Sequence, residues 1–215
     1  MWRDRGRPPQ KLVGVGFTSQ GPAQARPFRR AAASRDARAE WIFGGVDPDE
    51  LIGDHPSLTA SGNGAAGFEL DRLDFALGTP PHALLLASSF EHAAGYQLCV
   101  EDLGDQPTGA RMTAMPHRSV PDAVTGMTTD KIRSVSAAAS STARPLPSAT
   151  HRVLRWQDLC FYEGPRGGAV FSVGSISWCG GLLVSGGRNT VATVTENVIR
   201  RFEDPRPFVT GGAKM

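Results

Sequence analysis

The stretch that most constrains the fold of this chain is 167–202, which reads GGAVFSVGSISWCGGLLVSGGRNTVATVTENVIRRF. It begins with an apolar run rich in β-branched residues, which predicts a buried strand covered on both faces. The members of that run are Ala169, Val170, Phe171, Val173 and Ile176. A glycine-rich crossing follows, and after it apolar residues recur at the spacing of a helix face. The residues of that face are Val191, Val194, Val198 and Phe202.

The helix has several candidate N-termini and one clear end. Thr193 and Glu196 have the spacing of a capping box, and Asn189 or Thr190 offers an equally good start. Pro205 follows the last basic turn and cannot continue a helix. The stretch therefore predicts a strand, a crossing and a closing amphipathic helix, which is typical of an α/β sheet.

Other segments add strands to this sheet. Apolar runs predict strands at 12–17, 83–88 and 156–163, and the segment 96–100 is the expected neighbour of the strand at 83–88. The segment 68–75 fits a strand and a helix equally well, because it is too short to separate the two periods.

The middle of the chain has a different character. It lacks Phe, Tyr and Trp between Tyr96 and Trp156, and its run SVSAAASSTARPLPSAT cannot bury enough apolar surface to offset its ordering entropy. We therefore predict a disordered, low-complexity insertion there. The predicted organisation is 1–103 as the first part of one α/β domain, 104–155 as the insertion, 156–208 as the closing part and 209–215 as a flexible tail.

Charge and cysteine content exclude several classes of protein. The formal net charge of +2 is too small to favour nucleic acid or a membrane surface, so the basic residues near the start predict a solvated or interface-forming face. The N-terminus has no secretory apolar region, and no apolar stretch is long enough to span a bilayer.

Cys99, Cys160 and Cys179 form no CxxC pair, which predicts buried, reduced thiols. We expect a cytoplasmic protein.

Four collinear blocks resemble the C-terminal region of the N,N-dimethylformamidase large (beta) subunit family. They are WRDRGRPPQKLVGVGFTSQG, EWIFGGVDPDELIGD, GAAGFELDRLDFALGTPPHALLLASS, and the closing words GAVFSVGSISWCG and TENVIRRF. The resemblance implies the C-terminal part of a glutamine-amidotransferase-like open α/β sheet domain, with extra β structure and a long irregular insertion. It also implies a hydrolase of non-peptide C–N bonds in linear amides, which converts a small N-substituted amide to an acid and an amine.

The same resemblance implies a cofactor and partners. The family holds an iron ion with two tyrosines and a glutamate, and these ligands are expected upstream of the first block, outside this sequence. Tyr96 and Tyr162 lie in no block that matches a ligand motif. We therefore expect a truncated chain that binds no metal and is inactive alone. Its expected partners are the upstream part of the large subunit or a small subunit, in an oligomer, with a small amide as substrate after assembly.

Glu91 and His92 are the candidate catalytic residues. They follow the predicted strand at 83–88, where loops of open α/β sheets carry active-site groups. A histidine can act as general base near neutral pH, and amide hydrolysis needs a base that activates water. The resemblance implies an acid and a histidine after a Ser-Ser pair, and here the acid is displaced by one position. A loop or surface role for His92 is the alternative.

Two other polar groups have a structural explanation. Glu69, Asp71 and Asp74 surround Arg72 in an ExDxxD pattern, for which an Asp–Arg network or a helix cap is favoured over a cation site. Asn197 is expected on the polar face of the closing helix.

Two non-enzymatic hypotheses stand beside the hydrolase. The first is an interaction or structural remnant that pairs with another chain through an exposed sheet edge near 12–17. The second is an α/β binding domain of another family.

Overall fold

The computed structural model describes residues 5–21, 24–92, 96–98 and 156–208. The predicted insertion at 104–155 and the predicted tail at 209–215 therefore lie outside the described residues. Within the described ranges, helices and sheets are mixed, as the sequence predicts for an α/β chain. Every ladder between named strands is antiparallel, so these strands form no parallel crossover unit in the described part of the chain.

The described strands form two sheets. The strands are β1 Val15–Gln20, β2 Arg29–Arg30, β3 Glu69–Leu73, β4 Leu84–Ser89, β5 Gln97–Leu98, β6 Gln157–Glu163 and β7 Ala169–Ser172. One sheet has the order β3-β1-β5, and the other has the order β2-β4-β6-β7. All residues of β6 are buried, which makes this strand the centre of the fold.

Among the described residues, the helices are short except for the last one. The α-helices are α1 Gln10–Val13, α2 Ile176–Gly181 and α3 Thr190–Glu203. The 3₁₀ helices are Ala32–Arg35, Glu40–Phe43, Phe75–Leu77 and Val184–Gly187. No helix within the described ranges has the length and apolar character needed to cross a membrane.

The predicted strand at 12–17 starts later than expected. Leu12 belongs to α1 and is 69% exposed, and the strand begins only at Val15. Gly14 separates the two elements with a left-handed φ of 80°. A side chain on Gly14 would place its Cβ 2.6 Å from Cys160 Sγ. Both the backbone and the packing therefore require glycine at this turn.

One prediction about strand neighbours is wrong. The segment at 96–100 contributes β5, which pairs with β1 and not with β4. The reason is that β4 already has β2 on one side and β6 on the other. Because β5 pairs with β1 only at Ser19 and Gln20, the edge expected near 12–17 stays a prediction.

In the stretch 167–202, the predicted order of strand, crossing and helix is confirmed, but the predicted burial of the strand is wrong. Its strand, β7, is an edge strand whose residues are half-buried, so it is not covered on both faces. It ends before Ser175, whose Oγ accepts a hydrogen bond from Ser177 N and so begins α2. Ile176 is consequently helical and 43% exposed. Asn189 is the cap that begins α3.

One apolar core joins the larger sheet to the closing helix. Its members include Phe28, Ile42, Ile52, Leu86, Leu159, Phe161, Trp178, Val191 and Val194. Val191 and Val194 belong to the predicted inner face of α3 and are fully buried. Burial of a valine side chain stabilises a fold by on the order of 2 kcal/mol. Asn197 was expected on a solvent-facing polar side of this helix. Instead its Nδ2 donates to the carbonyl oxygens of Ile42 and Gly44 and so ties the helix to a neighbouring segment.

Candidate functional site

The polar residues of interest lie where β4 ends beside the start of β6. Ser88 is directly opposite Asp158, and Ser89 is directly opposite Gln157. Side chains of directly opposite residues share a face of the sheet, and successive residues alternate between faces. Ser88 and Ser89 therefore contact different polar residues, Asp158 on one face of the sheet and His92 on the other.

His92 is held by Ser89 and Tyr96. Its Nε2 lies 3.0 Å from Ser89 Oγ, and its ring makes an edge contact with the Tyr96 ring at a centroid distance of 5.1 Å. The Tyr96 hydroxyl donates to Gln24 O at 3.3 Å and accepts from Phe68 N at 3.2 Å, so this ring is itself fixed. His92 is only 6% exposed, which excludes the surface alternative.

The surroundings of His92 keep the imidazole neutral. Its pKa is lowered from 6.5 to about 4, mainly by burial; a hydrogen bond with the Gln24 backbone opposes this shift, and the Arg26 charge adds to it. His92 Nδ1 is buried, and the ring has a hydrogen-bonding contact with the Gln24 backbone. At pH 7 this ring can therefore accept a proton or donate one hydrogen bond.

Glu91 does not join His92 in a pair. Its side chain is exposed, and it makes no hydrogen bond or ion pair with another described residue. Its φ of 60° is left-handed. That conformation costs a residue with a Cβ about 1–2 kcal/mol. The structure thus brings His92 to Ser89 and leaves Glu91 facing outward at the same loop.

Asp158 is a buried carboxylate that the sequence reasoning missed. Its Oδ1 accepts from Ser88 Oγ at 2.7 Å, and its Oδ2 accepts from Leu73 N at 3.1 Å and Trp156 Nε1 at 3.2 Å. Burial raises its pKa from 3.8 to about 6, against the opposing effects of these donors and of Arg72. The only signal in the sequence was an acid inside the apolar run WQDLCFYE.

The ExDxxD pattern has the structural role that the sequence favours. Arg72 is 1% exposed, its Cζ lies 4.7 Å from the Trp156 ring centroid, and its Nη2 lies 3.9 Å from Asp74 Oδ2. Asp74 Oδ1 also accepts from Ala76 N and Leu77 N, which caps the 3₁₀ helix. Asp74 therefore caps a helix and balances a buried arginine.

The residues present do not fit the iron site that the resemblance implies. No group of three His, Cys, Asp or Glu side chains converges anywhere in the described ranges. The Tyr96 hydroxyl is engaged by Gln24 and Phe68, and the Tyr162 hydroxyl donates to Leu12 O at 2.6 Å. Neither described tyrosine is therefore available as a ligand beside a carboxylate.

The cysteines differ in environment. Cys160 is buried, and burial together with the Asp158 charge raises the pKa of its thiol to about 12. Cys179 is exposed, so the prediction of a buried thiol is wrong there, because its side of α2 faces solvent. Cys99 lies outside the described residues.

Comparisons with known proteins agree with the resemblance. Residues 1–192 match the family described as N,N-dimethylformamidase beta subunit-like, C-terminal. The chain is 35% identical over 210 residues to the N,N-dimethylformamidase beta subunits of Paracoccus aminophilus and of Alcaligenes sp. Each alignment covers 97% of this chain and 22% of the relative, so the chain spans about a fifth of their length.

Proposed function

The chain belongs to the N,N-dimethylformamidase beta subunit-like C-terminal family, and on this premise we propose that it is the C-terminal portion of an amidohydrolase large subunit. The proposed reaction is hydrolysis of a small N-substituted amide to an acid and an amine. The observation that carries the proposal is the match over residues 1–192, which includes the loop after β4 with its buried His92.

The chain's own contribution is proposed to be the polar loop after β4. Ser89 Oγ holds His92 Nε2 at 3.0 Å and so fixes the orientation of the ring. When Nε2 carries the proton and donates to Ser89, Nδ1 can take a proton from the attacking water and pass it to the leaving nitrogen, which returns the ring to its neutral form. Glu91, exposed in the same loop, is proposed to assist the exchange of protons with bulk water.

The remainder of the activity is proposed to come from outside this chain. No described cluster of side chains fits the implied iron. We therefore assign the iron ligands to the rest of the longer subunit. The chain is accordingly proposed to be inactive alone and to assemble with the upstream part of the large subunit or with a small subunit. In that assembly its two sheets would close a glutamine-amidotransferase-like domain.

Reconstitution tests this proposal. The purified chain should release no dimethylamine from N,N-dimethylformamide, whereas the chain mixed with an upstream fragment of the Paracoccus aminophilus subunit should release it. His92→Ala should then lower turnover far more than it lowers the free energy of unfolding.

His82→Ala is the matched control. His82 precedes β4, at the opposite end of that strand from His92, and its Nε2 lies 2.9 Å from the Glu163 carbonyl oxygen. Equal losses of turnover and stability in His92→Ala would show a structural role for His92. Turnover by the isolated chain would refute the assignment of essential groups to the rest of the subunit.

A further inference from the structure

The two outer strands of the larger sheet differ in how their edges are protected. At one end of the sheet, β2 consists only of Arg29 and Arg30. A very short edge strand with charged side chains discourages pairing with another strand. At the other end, β7 has neither a charged residue nor a proline over Ala169–Ser172. The edge of β7 is therefore open to pairing, whereas the edge of β2 is guarded against it.

The register of the β6–β7 hairpin shows which backbone groups of β7 point away from β6. Gly164 N donates to Gly168 O at 2.7 Å, so these two glycines form a hydrogen-bonded pair. Hydrogen-bonded and non-hydrogen-bonded pairs alternate along an antiparallel ladder. Val170 therefore uses its backbone groups to bond to β6, whereas the N–H and C=O groups of Ala169 and Phe171 point outward.

In the described part of the chain, no residue bonds to these outward groups. The sheet order places β6 as the one described neighbour of β7. Phe208, the last described residue, reaches only the turn before the strand, where its N donates to Gly167 O at 2.9 Å. Main-chain groups left open at a sheet edge are a template for an added strand.

The surroundings of β7 define the side chains of such a strand. On one face α1 lies over the hairpin, because the Tyr162 hydroxyl donates to Leu12 O at 2.6 Å. Ser172 Oγ also donates to Val13 O on this face. Leu12 is 69% exposed and Val13 is 38% exposed, and on the other face Phe171 is only partly buried against the core. A strand that covers both faces needs a short, continuous apolar run.

The rest of the longer subunit is the partner that fits this edge. The alignments cover 97% of this chain and only 22% of each relative, so most of that subunit lies outside the matched region. Ala169 and Phe171 offer few outward hydrogen-bonding groups, too few to hold two copies of the chain together through this edge alone. A strand that belongs to a larger partner can add contacts elsewhere on the surface.

We propose that the open edge of β7 pairs with an extended, apolar strand from the rest of the longer subunit. The added strand accepts hydrogen bonds from the N–H groups of Ala169 and Phe171 and donates to their carbonyl oxygens. Only the identity of the partner rests on the proposed function, because the open edge follows from the register and composition of β7.

Hydrogen exchange at single amides tests this pairing without any variant. The 215-residue chain is measured by mass spectrometry at single-residue resolution, first alone and then co-expressed with the part of the Paracoccus aminophilus subunit outside the alignment. In the isolated chain, the outward N–H of Phe171 should exchange much faster than the paired N–H of Val170. In the complex, exchange at Ala169 and Phe171 should slow at least about tenfold, and exchange at Val170 should slow less.

Ala169→Pro is the matching variant, because it removes an N–H that the isolated fold leaves unused. It should weaken the complex at least about fivefold, since one main-chain hydrogen bond is lost and a proline ring faces the added strand. The free energy of unfolding of the isolated chain should stay nearly unchanged. Ala169→Ser keeps the N–H and should bind as the wild type does.

Four results would overturn the pairing. They are unchanged exchange at Ala169 and Phe171 in the complex, equal affinity in Ala169→Pro and the wild type, failure of the wild-type chain to co-purify with its partner, and protection that rises with the concentration of the isolated chain. The last result would assign the edge to a second copy. Protection of β7 without turnover would refute the proposed hydrolysis alone, and turnover without protection would refute this pairing alone.

Discussion

Asp158→Asn should change how the stability of the chain depends on pH. Burial raises the pKa of Asp158 from 3.8 to about 6, so ionisation is harder in the folded chain than in the unfolded one. The stability contributed by the protonated carboxyl is therefore fully present below pH 3.8 and is lost as the pH rises through about 6. The complete loss amounts to about 3 kcal/mol.

His92 acts in the opposite direction over the same range. Its pKa falls from 6.5 to about 4, so its contribution is present above pH 6.5 and is lost as the pH falls toward 4. The magnitude is again about 3 kcal/mol. The two effects therefore nearly cancel in the wild type. Together, Asp158 and His92 should make its stability depend only weakly on pH.

The substitution separates the two effects. Asparagine keeps the shape of Asp158 and can still accept from Leu73 N and Trp156 Nε1. The stability of Asp158→Asn minus that of the wild type should rise by about 2–3 kcal/mol between about pH 4 and about pH 7. His92→Gln is the matched variant and should show the reverse trend relative to the wild type.

The assay is urea unfolding followed by tryptophan fluorescence, with Trp156 as a reporter beside the carboxylate. Urea is preferred to guanidinium because the latter is a salt and screens charges. Contributions of exposed acids are common to both proteins and disappear from the difference. Parallel curves of unfolding free energy against pH for the wild type and Asp158→Asn would refute the reasoning, since they would mean that Asp158 ionises equally easily in both states.

Three further predictions concern single contacts. Asn189→Ala should lower the unfolding free energy by about 1–2 kcal/mol in the same urea assay. The reason is that the helix cap and two side-chain donations are lost, and a loss within error would mean that another residue begins α3. Gly64→Ala should cost more than about 3 kcal/mol. Gly64 has a φ of +146° and its Cβ would overlap Arg26, so a thermal midpoint equal to the wild type's would contradict this packing. Iodoacetamide should label Cys179 well before Cys160 in the folded chain, as read by peptide mass spectrometry, and equal labelling would contradict the burial of Cys160.

Local features of the chain could be predicted because they depend on neighbours in sequence. The strand that becomes β4 follows from its apolar run, and the face of α3 follows from its spacing. Asp74 was placed correctly as a cap or an arginine partner for the same reason, since Arg72, Ala76 and Leu77 lie within three residues of it. Family membership also came from the order of the matched blocks along the chain.

The site itself could be predicted only in part. His92 was singled out because it follows a predicted strand, but its contact with Ser89 depends on how the loop folds back. The effect of the Arg26 charge on the pKa of His92 could not be predicted, because the two residues are distant along the chain and Arg26 is positioned by its bridge to Ala66. Glu91 was a candidate for proton transfer together with His92, and the fold leaves it exposed while it buries His92.

By itself the sequence determined where apolar runs end, which residues can cap the closing helix and which family the chain joins, because each depends on spacing along the chain. Tertiary structure alone decided which strands pair, that β7 is an edge, and that Ser88 meets Asp158 from 70 positions away. The physical reason is that strand register and burial are set by contacts between distant segments, and such contacts determine which polar groups lose water and so which pKa values shift.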